Sequence, residues 1–532
     1  MRWLVTLLLI ASLLGGVFRL THLKGKVYWH DEVYTAMYVT GHGNKEVLDE
    51  LFNGELKVVA DALQMQTATE DRGVKETIRQ LATHDAQHPP LYYVLCRLML
   101  YVVPDTVLAT RLVAAIAGIL LIPATYCLCQ QLFAASTSVR LTATLGATLV
   151  AVSPFQYLYS QEARQYSLWP LSVAIASIAY FIAIKKNSRL SWLMYTLTLL
   201  TSLYTCVLSL LLPISHGLHL LWLTYYRSTL SQKFNRAILT HFTTSVGVSL
   251  LLFIPWLQFI SSAHIKNVSW TALPISFHVL MRSWTHNLTH LFIDFNLAQS
   301  FETSTSFPFT LLKGVVISFL IYVLFWSMRH MHASAKVFLL SLGGVTLLAL
   351  VLPDLILGGQ RSRVARYLMP TYLSFHIACA RCLASKLNAR QPYIQWKSIV
   401  ATVVVSGILS CAVSLPTQNW WHKYHSNKNV AISEHINKYP QSLLVSSDYD
   451  YNIGQLLSLS YFLTPEQQLL LFREYKEPDI VKKLADDNLI NNRKMFVFNL
   501  SEPLKTKLTA SGQYQLVSTS TVDKLWELTT PQ

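Results

Sequence analysis

The sequence predicts an α-helical polytopic membrane protein with about 11 to 13 transmembrane helices and a small C-terminal α/β extracytoplasmic domain. Three observations support this fold class. Hydrophobic residues make up 52% of the chain and charged residues only 13%, roughly half the charged share of a soluble protein. Long apolar runs such as "VVISFLIYVLFW" are bracketed by polar residues. Beyond residue 416 the runs give way to alternating short strand and helix signals.

The formal net charge of +15 reflects membrane topology rather than nucleic-acid binding. Basic residues cluster in alternate short loops between apolar segments, which is the pattern of cytoplasmic loops. The loops 156–166, 261–308 and 354–365 are then extracytoplasmic, and so is everything after about residue 417. With the N-terminus inside, residues 21–90 form another outer loop. The four clusters are Lys185, Lys186 and Arg189; Arg227, Lys233 and Arg236; Arg329 with Lys336; and Arg381, Lys386, Arg390 and Lys397.

Twelve apolar segments are candidate membrane spans in a domain that covers residues 1–416. Segment 91–103 is only about 20 Å long as a helix, against a hydrocarbon core of about 30 Å. It is either a half-span or re-entrant helix, or two segments together make one crossing. The candidates are 3–20, 91–103, 106–130, 140–155, 167–184, 190–205, 206–225, 239–260, 309–327, 336–353, 366–385 and 397–416.

The tail, residues 417–532, is expected to form an extracytoplasmic α/β domain with a partly parallel sheet. "SLLVSSD", "QQLLLF" and "KMFVFNL" are predicted strands. "NIGQLLSLSYFL", "DIVKKLADD" and "EPLKTKLTAS" are predicted helices. No glycine-rich phosphate loop accompanies them, so the pattern favours an accessory domain without a nucleotide site.

The seven cysteines lie in or beside apolar segments. This placement is typical of small buried hydrophobic residues and not of a disulfide framework.

Two adjacent carboxylates, Asp31 and Glu32, follow the first apolar run within "KVYWHDEVYT". Solvated acids often mark the point where a helix leaves the bilayer. Here Trp29 and Tyr34 are residues that prefer the membrane interface. A carboxylate held among them is partly desolvated, which suits it to act as a general base.

The motif "THDAQHPPLYY" ends the first outer loop. Pro89 and Pro90 fix the entry of a helix and orient His84, Asp85 and His88 along the membrane surface. Surface or capping roles are the ordinary reading of such histidines. A metal site is a second reading, although the spacing matches no strong ligand signature.

Polar residues are embedded between two apolar segments in "SPFQYLYSQEARQYSLWPL". A structural loop is one interpretation of Gln161, Glu162 and Arg164. The nearby tyrosines, among them Tyr166, form a surface that suits a sugar ring or a lipid head group.

Three arginines occupy the outer-face loop "GGQRSRVARYLMP". Outer loops are usually poor in cations, so Arg361, Arg363 and Arg366 are an exception. Arginines at a membrane boundary suit a lipid-linked phosphate, because the guanidinium binds phosphate oxygens in a bidentate manner. Snorkelling to the interface is the alternative.

Taken in order, "WHDE", "HPPLYY", "SPFQYLYSQEARQY" and "RYLMP" resemble the GT-C glycosyltransferases over roughly residues 1–380. The resemblance is to the group related to protein O-mannosyltransferases and lipid A aminoarabinose transferases, glycosyltransferase family 39-like. It implies a hexosyl- or pentosyltransferase that takes a sugar from a polyprenyl-phosphate donor. The acceptor would be a lipid, glycan or protein on the extracytoplasmic face, and the location a bacterial inner membrane.

The resemblance also implies roles for residues. Asp31 would be the catalytic base with Glu32 beside it, and Glu162 a second catalytic acid where many relatives have Asp. The carrier phosphate would be bound by Arg366 with Arg361 or Arg363. A divalent metal is not required, although some relatives bind one, so the cofactor is left open. The implied substrate-binding residues are His88, Tyr92, Gln161, Arg164 and Tyr166.

A membrane transporter or lipid flippase is the alternative function. A transporter places its ionisable residues near the bilayer midplane and often carries an internal repeat. The sequence contains no such repeat, and its acids and arginines cluster on one predicted face. A non-catalytic assembly protein with the same scaffold is a third interpretation, which the intact acids disfavour.

Overall fold

The computed structural model describes residues 2–226, 232–262, 269–295, 307–389, 394–474, 493–510, 512, 514–519 and 524–529. The chain divides into two compact units. The helical unit comprises Met1–Leu23, Leu81–Tyr92 and Arg111–Pro416. The sheet unit comprises Lys24–Gln80, Tyr93–Thr110 and Thr417–Gln532.

Helices dominate the chain up to residue 414. In chain order they are α1 (Arg2–Leu20), α2 (His30–Thr40), α3 (Asn44–Leu51), α4 (Val59–Gln64), α5 (Val74–His84), α6 (Leu91–Leu100), α7 (Thr106–Leu132), α8 (Val139–Val152), α9 (Pro154–Ser160), α10 (Leu168–Lys186), α11 (Arg189–Thr205), α12 (Leu211–Tyr226), α13 (Gln232–Ser262), α14 (Phe277–Thr289), α15 (Phe307–His330), α16 (Ala333–Leu357), α17 (Met369–Leu387) and α18 (Ile394–Ser414). Short 3₁₀ turns cover Val207–Leu210, Ser269–Ala272, Arg361–Arg363 and Ala365–Leu368.

Eight helices in the described part of the chain are long and apolar enough to cross a membrane, or nine with one bent pair. The protein is therefore an integral membrane protein, as predicted. The count is lower than the 11 to 13 expected, for identifiable reasons. Helix α6 has only 10 residues and α11 only 17. Helix α17 is long enough, but polar residues such as His376 reduce its hydropathy.

The bent pair is α8 and α9, which meet at an angle of 59°. Pro154 opens α9, and the Ser153 side chain caps it. The carbonyl groups that α8 leaves unsatisfied at its end are bonded by Arg19, which is fully buried. Its guanidinium donates to Ala151 O at 2.6 Å and to Val150 O at 2.9 Å. The arginine thus satisfies a buried helix end. Its Nε also donates to the Ser160 hydroxyl at 3.2 Å, which holds the end of α9, where the α9–α10 loop begins.

Close packing of α1 against α8 depends on Gly15. A side chain at this position would lie 2.7 Å from the Ala151 carbonyl carbon. Helix α8 packs on its other side against α17, which in turn packs against α15 and α16. Helix α16 contacts the 3₁₀ turn at Arg361–Arg363, and α17 contacts the turn at Ala365–Leu368, so these two helices position the loop 358–368.

The sheet unit contains a six-stranded mixed sheet with the strand order β1-β3-β2-β4-β6-β5. The pairs β2–β3 and β2–β4 are parallel, and the pairs β1–β3, β4–β6 and β5–β6 are antiparallel. The elements are β1 (Leu56–Val58), α19 (Asn429–Ile436), β2 (Leu443–Ser447), α20 (Asn452–Leu459), β3 (Gln468–Phe472), β4 (Met495–Phe498), α21 (Glu502–Ala510), β5 (Gln515–Ser518) and β6 (Leu525–Thr529), with a 3₁₀ turn at Trp421–Lys423.

The predicted strands and partly parallel sheet of the tail are confirmed, and so are two of its three predicted helices, α20 and α21. The third, "DIVKKLADD", lies outside the described residues. One strand has an unexpected origin, because β1 comes from residues 21–90, the predicted outer loop, and pairs with β3 through Leu56 and Leu470. An apolar core formed by strand residues such as Val445 and Val497, together with Leu504 of α21, holds one face of the sheet.

Candidate active site

The loop between α9 and α10 carries four of the predicted site residues, and all four are buried. The Gln161 amide donates to two backbone oxygens at the end of α1, at 3.0 Å to Phe18 and 2.7 Å to Thr21. These bonds tie the loop to the end of the first helix and occupy both amide hydrogens of Gln161. The buried residues are Gln161, Glu162, Arg164 and Tyr166.

Asp85, His88 and Arg164 form a linked group in the helical unit. The His88 Nδ1 atom lies 3.0 Å from Asp85 Oδ2, and Arg164 Nη2 lies 2.8 Å from His88 Nε2. A guanidinium can only donate, so His88 Nε2 must accept and the imidazole is neutral with its proton on Nδ1, facing Asp85. The chain of contacts fixes the direction of the Arg164 side chain.

The charge of this group is set by its surroundings. Burial alone raises the pKa of Asp85, but His88 and then Arg164 lower it, and the net pKa of the carboxyl is below its ordinary value. Asp85 is therefore an anion at neutral pH. Together with Arg164 it forms a buried opposite-charge group with His88 between the two charges.

The arginine-rich loop 358–368 is built on Asp354, a buried carboxylate near the end of α16. Its Oδ1 accepts from the Arg361 backbone N and Nη1, both at 3.0 Å. Its Oδ2 accepts from the backbone N and the hydroxyl of Ser362, both at 2.7 Å. Gly359 has φ +136°, and a side chain there would lie 2.8 Å from Asp354 Oδ1. The Arg361 charge is therefore compensated within the protein.

The other two arginines of the loop have different environments. Arg363 Nη1 donates to Gln360 Oε1 at 3.0 Å, and Asn287 of α14 donates to the Arg363 backbone oxygen at 3.0 Å. The Arg366 guanidinium lies over two tyrosine rings, 5.3 Å from the centre of Tyr166 and 5.9 Å from that of Tyr367. Stacking on aromatic faces orients a guanidinium.

Three predicted motifs of the helical unit meet around Tyr166. Burial raises the pKa of Tyr166, while the positive charges of Arg366 and Arg164 act in the opposite direction. The Tyr159 ring centre lies 6.0 Å from that of Tyr166, and both Glu162 and Arg366 act electrostatically on Tyr159. The structure thus brings together the His-Pro-Pro loop, the α9–α10 loop and the arginine loop, which the sequence places far apart.

The paired acids lie in the sheet unit and differ from each other. Glu32 is fully buried, and its Oε2 lies 2.7 Å from Lys423 Nζ, which is also buried. The same oxygen accepts from the Trp29 backbone N at 3.3 Å, which caps α2. Lys423 also donates to the Val27 backbone oxygen at 2.6 Å. Glu32 therefore has a partner of opposite charge within its own unit.

Asp31 occupies the first turn of α2 and is partly exposed. The neighbouring His30 ring lies 5.1 Å from Tyr34, 5.4 Å from His425 and 5.4 Å from Tyr451. Aromatic rings thus surround the His30 ring, and two of them come from the distant tail. One of these two, Tyr451, also interacts electrostatically with Asp31.

Sequence reasoning missed two charged residues that organise these sites. Asp354 follows an apolar run and comes shortly before the three arginines. A carboxylate so close to a cluster of arginines could have indicated an ion pair. Lys423 lies in "WWHKYH" and no local pattern marks it. Of the other predicted residues, Tyr92 is completely buried at the start of α6. In the described ranges no group of three or more His, Cys, Asp or Glu side chains is arranged to hold a metal ion.

No family model matches the sequence, and no curated protein sequence matches it. Solved structures do. ArnT from Cupriavidus metallidurans bound to undecaprenyl phosphate has 11% identity and a TM-score of 0.54, with 100% of this chain and 99% of that chain covered. The apo form of the same protein has 13% identity and a TM-score of 0.53, with the same coverage. The Archaeoglobus fulgidus oligosaccharyltransferase has 10% identity and a TM-score of 0.49, with 100% and 75% covered. The likeness to the ArnT structures confirms that the chain has the predicted GT-C fold.

Proposed function

We propose that the protein is a membrane glycosyltransferase that moves a sugar from a polyprenyl-phosphate donor to an acceptor at the extracytoplasmic face of a bacterial inner membrane. The observation that carries the proposal is the grouping of Arg366, Arg164 and Glu162 around the buried Tyr159 and Tyr166 rings. Cationic and acidic groups beside aromatic rings suit a donor that combines a phosphate, a sugar and an apolar chain. The structure with bound undecaprenyl phosphate has the same fold, which supports this class of donor.

Arg366 is the proposed ligand of the donor phosphate. Arg361 is less suited to this role because Asp354 compensates its charge at 3.0 Å. Arg363 lies in the same loop and is the proposed second cation. Positive charge at the phosphate stabilises the polyprenyl phosphate as it leaves the anomeric carbon, which lowers the barrier for bond cleavage.

Asp31 is the proposed general base. In the reaction the acceptor hydroxyl oxygen forms a bond to the anomeric carbon, and the bond from that carbon to the phosphate oxygen breaks. The hydroxyl proton passes to the carboxylate as the new bond forms. Glu32 is a weaker candidate, because its pair with Lys423 would have to be disrupted before it could accept a proton. Glu162 is the proposed second acid on the donor side.

His88 is proposed to position Arg164 rather than to exchange protons. Its Nε2 already accepts from Arg164, so a further proton there would break that bond. Tyr166 would contact the sugar or the phosphate between Arg164 and Arg366. Gln161 and Tyr92 are both buried and would hold the surrounding residues of the site in position.

Binding of the carrier tests the donor side of the proposal directly. We expect undecaprenyl phosphate to raise the melting temperature of the full chain in detergent, and undecaprenol without phosphate to raise it far less. Arg366→Gln should abolish the difference between the two lipids. Arg329→Gln changes an arginine at the other end of the helical bundle and is the matched control. Equal shifts from both lipids in the unmodified protein would contradict a phosphate site.

Transfer itself is measured in reconstituted vesicles with a panel of labelled polyprenyl-phosphate sugars, including hexoses and pentoses. Release of polyprenyl phosphate together with loss of label from the donor would identify the sugar class. Phosphate-dependent carrier binding without release from any donor would count against a transferase and favour a lipid transporter.

A further inference from the structure

We propose that the carboxyl edge of the parallel strands in the sheet unit is a carbohydrate-binding site that receives the acceptor. We call it the sheet-edge site, and its residues are Tyr424, His425, Tyr449, Asp450, Tyr451 and Lys524. This inference rests on the proposed function, because it assigns the acceptor of that reaction to a glycan or the sugar head of a glycolipid.

The topology of the sheet selects this edge. Strand β2 is central, with β3 parallel on one side and β4 parallel on the other. The chain passes from β2 through α20 to β3, and β4 then joins on the opposite side of β2. Such a change of direction leaves a switch point at the carboxyl ends of β2 and β4, where open α/β sheets bind their ligands. Residues 448–451 follow β2 at this point.

Hydrogen bonds between the ends of β2 and β4 hold the switch point rigid. The Asn452 side chain is completely buried and donates to the Ser447 backbone oxygen at 2.9 Å and to the Asn499 backbone oxygen at 2.8 Å. The Ser446 hydroxyl donates to the Phe498 backbone oxygen at 2.8 Å. These bonds connect the ends of β2 and β4, so the loop 448–451 stands on a fixed support.

Exposed aromatic rings line this edge. Tyr424 is 54% exposed, Tyr449 44% and Tyr451 37%. The His425 ring connects two of them, with centres 4.1 Å from Tyr424 and 4.5 Å from Tyr451. Large apolar side chains grouped on a surface indicate a binding site more often than chance exposure. The apolar C–H face of a sugar ring packs on such rings, and its hydroxyl groups then need polar partners at the rim.

The sheet-edge site also contains an acidic and a basic side chain that can bind sugar hydroxyl groups. Burial raises the pKa of Asp450, and the Lys524 charge acts in the opposite direction. Lys524 Nζ also donates to Gln455 Oε1 at 3.3 Å. An edge with a carboxylate and an ammonium group beside aromatic rings matches a polyhydroxylated ligand better than a purely anionic or purely apolar one.

The same edge adjoins the proposed base. Helix α20 packs against α2, and Gly454 makes this possible, because a side chain there would lie 2.9 Å from the Tyr34 ring. The Tyr451 ring centre lies 5.4 Å from that of His30, the neighbour of Asp31, and Asp450 directly precedes Tyr451. Burial, Asp450 and Asp31 together raise the pKa of Tyr451. A sugar held on Tyr451 would therefore have its hydroxyl groups near Asp31, which is the carboxylate proposed to accept the acceptor proton.

The test uses the full chain in detergent on an array of immobilised oligosaccharides that covers hexoses, pentoses, amino sugars and uronic acids. We expect retention on at least one oligosaccharide, and a loss of about tenfold or more in Tyr451→Ala, since each stacked ring contributes substantially to such binding. Tyr449→Ala is the second variant, because its exposed ring can be removed with little effect on folding. Tyr225→Ala, which removes an exposed tyrosine of the helical unit, is the matched control.

Binding of undecaprenyl phosphate is measured on the same preparations, and we expect it to be unchanged in all three variants. No retention of the unmodified chain, or equal retention of the unmodified chain and both sheet-edge variants, would overturn the inference. Either result would leave the donor-side proposal intact if carrier binding still required Arg366. If the unmodified chain binds undecaprenyl phosphate no better than undecaprenol, that result would instead contradict the proposed function.

Discussion

Lys423 Nζ and Glu32 Oε2 are 2.7 Å apart, and neither side chain is accessible to solvent. The two residues are 391 positions apart in the sequence, and both belong to the sheet unit. Their pair links the start of α2 to the 3₁₀ turn at Trp421–Lys423. A buried ion pair is costly to break from one side, because the remaining charge is left without compensation.

Removing one member of this pair should destabilise the protein. We expect Glu32→Gln or Lys423→Met alone to lower the free energy of unfolding by about 3–5 kcal/mol. The double variant should recover much of the loss, because neither charge is then buried alone. Thermal unfolding of the four proteins measures the coupling energy. Purely additive losses would show that the contact contributes no coupling.

The pair also illustrates what sequence reasoning can reach. The apolar character of β2, β3 and β4 is local, so their positions followed from the sequence. Strand β1 is three residues long and pairs with β3 far along the chain, and no pattern in "LKV" indicates this. The motifs around Asp31, His88, Glu162 and Arg366 were recognisable as chemistry-bearing segments. Their partners Lys423 and Asp354 were not, because only the folded chain brings these charges into contact.

Asp31→Asn tests the proposed base. The amide has nearly the shape of the carboxylate but cannot accept the acceptor proton, so we expect transfer to fall by about 10²- to 10⁴-fold. Donor binding should be unchanged. The assay is single-turnover transfer in vesicles, with Asp71→Asn, an exposed acid in the same unit, as the control. Undiminished transfer would mean that another group, such as Glu162, takes the proton.

The tautomer assigned to His88 makes a specific prediction for the donor side. His88→Ala removes the acceptor for Arg164 Nη2, and we expect the KM for the donor to rise by about tenfold, the cost of one charge-assisted hydrogen bond. His88→Gln can still accept that bond and should restore most of the loss. If His88 only positions Arg164, the pH profile of kcat should be the same in the unmodified protein and His88→Gln. A shift of that profile near neutral pH would instead indicate a proton-transfer role.

His42 should make the sheet unit sensitive to acid. Burial and then the charge of Arg72 lower the pKa of His42 from 6.5 to about 4, although Glu46 and Asp71 act in the opposite direction. The His42 Nδ1 atom lies 3.0 Å from the Thr40 hydroxyl, and the ring is almost fully buried. Between these two pKa values the unfolded chain binds a proton that the folded chain does not. Stability is therefore expected to fall as the pH decreases from 6.5 towards 4 and to be independent of this group above 6.5.

The measurement is the melting temperature at pH 7 and pH 5 for the unmodified protein and for His42→Gln. Glutamine can keep the contact with Thr40 but does not titrate, so the drop between the two pH values should be smaller in the variant. His278→Gln changes an exposed histidine of α14 and should leave the drop unchanged. The same drop in His42→Gln and in the unmodified protein would show that other groups cause the acid sensitivity. A smaller drop would identify His42 as a group that the folded sheet unit keeps neutral at the expense of stability in acid.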